Sequence, residues 1–489
     1  MSAGAAETQS RSAVARIARN GALSATAEIL SKIASLVLFA LLAREFGQAA
    51  LGDYVFAMAI ASLIWSLTGF GLDRMTMRDV ARDPTAMRRL VVPLAAIKVI
   101  ASLAATAAVA GVLALAGRSA QTVALVAILG ANTALGLGAA TVQAVFAANE
   151  RMEHVFLTKV PWAFAASLSG IAVLLAGGGI VAVALVSSGV VAAVGAVWAA
   201  LLMVRLYGRP DARLRMRTWP GLLRLALPFG LQEMLGQVIF RFDTVLLGAI
   251  AASAVVGDYG AAYRMLEATL FIAWSVGYAV MPMYSYLRDD RNLTLVYEGS
   301  LKLALALMVP IAVTFAVCAR AIVDLVYGLP EFEGAVSVLR LLAVAVAVYS
   351  IGHLAGILVL VRRPGRYTVA ATAVVALFNV VACAVLIPWL GANGAAIATL
   401  ASESLLALAG VALAVRVVGL PRFVWVAGSP LLAAASMAAA MWPLRDRLEL
   451  ALPAGALAYL AVLAALEARR ARSDLAVYRS IGGRSAAPA

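Results

Sequence analysis

Charge is scarce in this chain: 13% of its 489 residues are Asp, Glu, Lys or Arg, while 64% are hydrophobic. Soluble domains carry about a quarter charged residues, so a water-soluble globular fold is excluded. Cysteine is scarcer still. Cys318 and Cys383 are the two, both inside apolar runs, which excludes a disulfide framework or a cysteine metal cluster and leaves packing as their role. No phosphate-binding G-x-x-x-x-G-K-[ST] loop occurs, so ATP hydrolysis by this chain is not expected. Acidic residues are outnumbered, 25 against 39 Lys and Arg, for a net charge of +14. That excess sits in short segments between apolar runs, the pattern of loops at a membrane surface and not of a nucleic-acid binder.

What the sequence has is hydrophobic length. About fourteen apolar runs, each long enough to cross a bilayer as a helix, lie near 22–43, 51–72, 90–116, 121–148, 160–176, 181–206 and 222–250, then 255–282, 301–319, 336–361, 367–386, 395–418, 423–442 and 450–466. The fold class expected is an all-α polytopic membrane protein. Lys and Arg concentrate in the N-terminal tail and every second loop, with the densest cluster at Arg209, Arg213, Arg215 and Arg217. By the positive-inside rule both termini are cytoplasmic, and that cluster anchors the topology against anionic lipid. The first run is too long for a signal-peptide core and carries Glu28 and Lys32, so it is expected to stay in the mature chain.

An internal duplication is visible. Gly52-Asp53-Tyr54 recurs 205 residues on as Gly257-Asp258-Tyr259, and at the same offset Leu41-Leu42 matches Leu246-Leu247 and Glu28 matches Glu233. Helices one and seven are then equivalent. The offset of six helices preserves orientation and predicts parallel repeats. The segments read as a cytoplasmic tail (1–20), an N-lobe of six helices (21–207), a basic linker (208–221), a C-lobe of six helices (222–418), two extra C-terminal helices (419–468) and a second cytoplasmic tail (469–489).

Ten ionisable residues fall inside the runs: Glu28, Lys32, Lys98, Glu233, Arg241, Asp243, Arg264, Glu267, Arg340 and Glu403. Each would cost about 2.5 to 3.5 kcal/mol at a lipid-facing helix centre, so most must pair or line water. Spacing sharpens this. Ser24, Glu28, Ser31, Lys32 and Ser35 make one stripe on helix one, Glu233, Gln237 and Arg241 one stripe on helix seven, and Arg264 with Glu267 an i,i+3 pair on helix eight. These faces are expected to converge on a hydrated interior; fixed packing pairs are the competing reading. Lys98 and Arg340 read as snorkelling to an interface. Glu403, beside Thr399, Ser402 and Ser404, reads as an interhelical hydrogen-bond node, and His353 and Asn379 as polar contacts between helices.

Several stretches resemble polysaccharide-biosynthesis flippases of the O-antigen (Wzx) type, in the multidrug, oligosaccharidyl-lipid and polysaccharide exporter superfamily. They include Leu42-Ala43-Arg44-Glu45-Phe46-Gly47, Leu51-Gly52-Asp53-Tyr54, Arg241-Phe242-Asp243-Thr244-Val245-Leu246-Leu247-Gly248, Tyr263-Arg264-Met265-Leu266-Glu267 and the Arg363-Pro364-Gly365-Arg366-Tyr367 loop. The resemblance implies two six-helix lobes in a V and a central cationic cavity in a bacterial inner membrane. It also implies alternating access for an undecaprenyl-diphosphate-linked oligosaccharide. Lys32, Arg241 and Arg264 become cavity cations for a diphosphate, with Glu28, Glu233 and Glu267 beside them. Glu28, Glu233 and Asp243 become candidates for H+ or Na+ coupling, with no other cofactor. Expected partners are the lipid-linked oligosaccharide, membrane lipids and polysaccharide polymerase machinery; nucleic acid is not among them.

Within the superfamily the rivals are a cation-coupled multidrug antiporter and a peptidoglycan-precursor flippase. A membrane glycosyltransferase or polymerase would need a sizeable outer loop with catalytic residues. The largest here, 320–333, holds Asp324, Glu331 and Glu333, which read as solvated surface charge, so no enzyme is expected. The topology is directly testable: cysteines placed at Ser119, Gly178 and Gly391 should react with an impermeant maleimide from outside the cell, and one near Arg213 should not. The reverse pattern would overturn it.

Overall fold

In hydrocarbon every backbone amide must find its partner within the protein, and a helix does so locally. The computed structural model describes the backbone of residues 3–211, 219–287, 289–362 and 366–468, and within them side chains from Lys32 onward except at 366 and 367. Glu28 and the linker arginines at 213, 215 and 217, all singled out by sequence, lie outside the described side chains, as does the whole 363–367 loop. Two compact units emerge, Met1–Gly257 and Asp258–Ala489.

The first unit is built from α1 (Ala3–Gly69), α2 (Leu72–Arg82), α3 (Met87–Leu115), α4 (Ala120–Ala148), α5 (Met152–Leu175), the short α6 (Ile180–Ala184), α7 (Val191–Tyr207) and α8 (Trp219–Ile250). A π-helical turn, Leu185–Val190, joins α6 to α7. The helix α1 is two arms broken at Gly47, whose φ of 77° only glycine holds without strain. Its arms pack on α4, α5 and α8, and α8 also packs on α2. Side chains from α2, α3, α4 and α7, among them Val80, Val91, Phe146 and Met203, close one core.

The second unit takes most of α9 (Ser253–Tyr286), then α10 (Asp290–Val317), α11 (Ala319–Val326), α12 (Glu333–Arg362), α13 (Arg366–Val418), α14 (Phe423–Met441) and α15 (Leu448–Ala468). As in α1, a positive φ at a glycine, Gly391, divides α13 into two arms. Tyr297, Leu301, Leu354, Leu358 and Met437 belong to one buried cluster that ties α10, α12 and α14 together. The hydroxyls of Tyr284 and Ser300 meet at 2.6 Å.

The protein is a multi-pass, all-α membrane protein. Among the described residues eleven stretches are long and apolar enough to cross a membrane. Two of them, Lys32–Arg82 and Thr368–Val418, contain the glycine breaks and account for two passes each. The 32-residue α8, despite Arg224, Glu233, Arg241 and Asp243, completes about fourteen passes, the number expected from sequence. The duplication is also physical. Gly47 breaks α1 at the position that, 205 residues on, falls in the gap between α8 and α9.

The C-terminal hairpin of α14 and α15 is fastened to α10 by charge as well as by packing. Glu298, 1% exposed, accepts from the Arg422 guanidinium at 2.6 and 3.0 Å and from the Arg422 backbone N–H at 2.7 Å. Lys302 bonds Glu467 at 2.6 Å and lies 4.3 Å from the Trp425 ring centroid. Replacing Arg422 with Ala strands a buried carboxylate. Because the arginine is half-exposed and the backbone bond survives, the expected loss is about 2 kcal/mol, read as a lower thermal midpoint of the purified protein. Adding Glu298→Gln should recover part of it; no recovery would show that the pair does not fasten the hairpin.

Candidate substrate-binding site

The Gly-Asp-Tyr motif organises one end of the first unit. A Cβ on Gly52 would overlap the Ser253 carbonyl, and one on Gly257 would overlap the Gln48 carbonyl. Since 48 and 253 are themselves related by the 205-residue offset, the two contacts are reciprocal: each repeat's glycine admits the other repeat's corner. Asp53 then accepts from the Ser253 hydroxyl at 2.7 Å and from the Gln121 amide at 3.3 Å. Arg118, in the turn before α4, donates to the carbonyls of Gly248 and, at 3.0 Å, Ala249. These are C-terminal carbonyls of α8, which a cation satisfies well.

The third residue of the motif opens onto a cavity. Tyr54, Ser62 and Trp65 on the second arm of α1 line a pocket of about 260 Å³ with Asn132 of α4, Ser188 of the π turn and Gln237 of α8. No lining side chain carries a charge. Gln237 also lines a second, larger space of about 480 Å³, whose other walls are almost wholly apolar and include Phe56, Ile60, Val109, Leu113 and Val238. A polar pocket and an apolar groove therefore share one amide.

The charges singled out by sequence distribute as follows. Lys32 on α1 and Arg241 on α8 are half-buried in the first unit, on helices that pack together, and each is engaged with a neighbour. Asp243 is fully buried and accepts from the Thr244 backbone N–H at 2.5 Å and its hydroxyl at 3.1 Å. Glu233 lies within electrostatic reach of Arg74, Asp73 and Lys98. In the second unit Arg264 pairs with Glu267 at 3.2 Å, the two side chains 19% and 20% exposed, and Arg264 also acts on the Tyr327 hydroxyl.

Lys98 does not snorkel. Its side chain is wholly buried and donates to Asp73 at 2.5 Å. Sequence hid this because Asp73 sits on α2, an amphipathic helix of about three turns that hydropathy reads as loop. Arg340 is exposed. Around Glu403, which is 5% exposed, Asn379 donates to Ser402 at 3.0 Å and the hydroxyls of Tyr259 and Thr399 lie 3.1 Å apart. The His353 ring stacks on Tyr349, whose hydroxyl accepts from Trp274 at 2.6 Å. In the 320–333 segment, Asp324 accepts from the Leu329 N–H and Glu333 pairs with Arg320.

Sequence reasoning missed the neutral pocket. A signal existed: Tyr54, Met58, Ser62 and Trp65 recur at helical spacing on one face of an otherwise apolar run.

A family model described as polysaccharide biosynthesis protein matches residues 17–288, more than half of the chain. No curated protein matches in sequence. Among solved structures, an inward closed lipid II flippase MurJ is similar with a TM-score of 0.76 and 16% identity, over 91% of this chain and 99% of that one. An inward-facing multidrug resistance MATE family transporter of the MOP superfamily gives 0.62 and 16%, over 78% and 92%. The Vibrio cholerae MATE transporter VcmN, in a mutant form, gives 0.55 and 15%, over 82% and 97%. These likenesses establish a shared fold.

The buried lysine makes an asymmetric prediction. Asp73→Asn leaves a fully buried ammonium without its partner and should cost about 3 kcal/mol, whereas Lys98→Met leaves an aspartate that is 31% exposed and should cost far less. Thermal unfolding of the purified variants, with the double variant close to Lys98→Met alone, checks it. Equal losses from the two single changes would contradict the burial argument.

Proposed function

Because the chain belongs to the polysaccharide biosynthesis protein family, we propose that it is a flippase carrying an undecaprenyl-diphosphate-linked oligosaccharide across a bacterial inner membrane by alternating access, both termini cytoplasmic. The observation that carries this is the join at Gln237, where an uncharged polar pocket opens beside an apolar groove. A ligand that satisfies both walls is amphiphilic, with a hydroxyl-rich part and a hydrocarbon part. A glycan cannot cross hydrocarbon unaided, since each desolvated hydroxyl without a partner costs kcal/mol. Lending those partners one state at a time lowers the barrier without covalent chemistry. The lipid II flippase that shares this fold supports the same reading.

Lys32, Arg241 and Arg264 are the cations assigned to the diphosphate, where charge-assisted hydrogen bonds are strongest. Asp243, buried, and Glu233, set among Asp73, Arg74 and Lys98, are the carboxylates assigned to H+ or Na+ coupling. The buried Asp243 also favours a second reading, cation-coupled drug export; the uncharged pocket lining counts against organic cations as cargo.

Removal of the protein should trap lipid-linked glycan on the cytoplasmic leaflet without changing drug susceptibility; increased drug sensitivity with no trapped glycan would favour export of drugs. The Arg264–Glu267 pair separates binding from packing. Arg264→Ala alone breaks the pair with Glu267 and mixes packing with binding, so the informative variant is Arg264→Ala with Glu267→Ala. Normal membrane abundance with flipping slowed about tenfold or more, equivalent to ~1.4 kcal/mol, is the expected result. Restored flipping in the double variant would refute a substrate-binding arginine.

A further inference from the structure

We propose that the polar pocket of the first unit is a sugar subsite, in which the Trp65 indole covers one face of a pyranose ring while Asn132, Ser188 and Gln237 hydrogen-bond its hydroxyl or N-acetyl groups. The assignment deepens the flippase reading and rests on it for the carrier to which the sugar is attached. Its chemistry comes from the pocket itself.

A sugar is a neutral ligand with two apolar faces and a rim of groups that both donate and accept. A diphosphate demands cations and an organic cation is best held by a carboxylate, and the pocket wall supplies no charged side chain of either sign. It supplies two primary amides, each with two donors and an acceptor, and hydroxyls that serve in either sense. Among the described residues the side chains of Asn132, Ser188 and Gln237 have no hydrogen-bond partner, so their capacity is open to a ligand. Ser62, by contrast, returns its hydroxyl to the Met58 carbonyl at 2.9 Å. A space of 260 Å³ holds about nine waters at roughly 30 Å³ each, the scale of one ring and not of a whole oligosaccharide.

Two features of the backbone serve this wall. Gly136 lets the Trp65 indole lie against α4, since a Cβ there would sit 2.7 Å from the ring carbon Cζ3. The π turn Leu185–Val190 carries Ser187, which is buried, and Ser188, which faces the pocket. Such turns are rare and frequent at functional sites. The duplication adds a contrast: the positions 205 residues beyond Ala59 and Ser62 are Arg264 and Glu267. One repeat kept this helix face neutral while the other charged it, as expected if the first reads sugar and the second meets phosphate.

The test compares two probes on the full-length protein in lipid nanodiscs: undecaprenyl diphosphate bearing one N-acetylhexosamine, and bare undecaprenyl diphosphate. The wild type should bind the glycosylated carrier about tenfold more tightly or better. Trp65→Ala or Asn132→Ala should abolish that preference while leaving affinity for the bare carrier unchanged, and Trp65→Phe should keep part of it. Absence of a preference in the wild type, its persistence in both variants, or equal loss for both carriers would overturn the subsite. Should neither carrier bind, the lipid-carrier reading fails on its own, and the pocket is judged by labelling. A maleimide reacting with Ser188→Cys should be slowed by millimolar N-acetylglucosamine, galactose or rhamnose and not by inorganic pyrophosphate. Indifference to all three sugars, or protection by pyrophosphate, would overturn the proposal.

Discussion

An amide or a charge facing hydrocarbon without a partner costs several kcal/mol, and this chain answers that constraint at every level. The backbone answers it by forming helices almost without interruption, reversing at Gly47 and Gly391 in corners so tight that helix resumes at once on the far side. Side chains answer it by pairing. Lys98 with Asp73, Glu298 with Arg422, Lys302 with Glu467 and Arg264 with Glu267 each join a charge to its opposite within hydrogen-bond distance or close to it. Where polar groups are left open, as around Trp65 and Asn132, the cost is met by space for something other than lipid.

Much of the architecture was legible because a bilayer imposes one length on every pass. The last two helices, among the most weakly signalled, run Phe423–Met441 and Leu448–Ala468 against expectations of 423–442 and 450–466. Hydropathy reports only the part of a helix that lipid covers. It therefore placed the start of α5 at 160 and of α10 at 301, whereas the helices begin at Met152 and Asp290 with polar first turns. The short α2 and α11 and the π turn escaped because none is long or apolar enough to announce itself. In the site, charges stood out as anomalies in apolar runs; Asn132, Ser188 and Trp65 did not, because a neutral polar residue in a membrane helix is ordinary. Which charge meets which was unreadable wherever the partner lay on an unrecognised element, as Asp73 did.

The duplication shows how one helical plan diverged without losing its frame. What sets geometry is retained: the helix break, at Gly47 in one repeat and at Ala252 between α8 and α9 in the other, and the glycines 52 and 257, each admitting a carbonyl of the other repeat. Residues that set chemistry are not, as the exchange of Ala59 and Ser62 for Arg264 and Glu267 illustrates. Close approach tolerates no added atom, whereas a half-buried helix face accepts any side chain that finds a partner.

The π turn before α7 has a reach beyond its own six residues. It spends one residue more than an α-helix would over the same rise, and one residue of α-helix is about 100° of rotation. Everything downstream inherits that phase. Ala199 and Met203 face the core shared with Phe146 and Val142 because α7 enters already turned. Were all six residues wound as regular α-helix instead, α7 would be turned by about 100°, bringing lipid-facing residues such as Val194, Val197 and Leu201 toward the core. The register of α7 and the presentation of Ser188 are therefore one inherited character, and neither can be altered by small steps without the other.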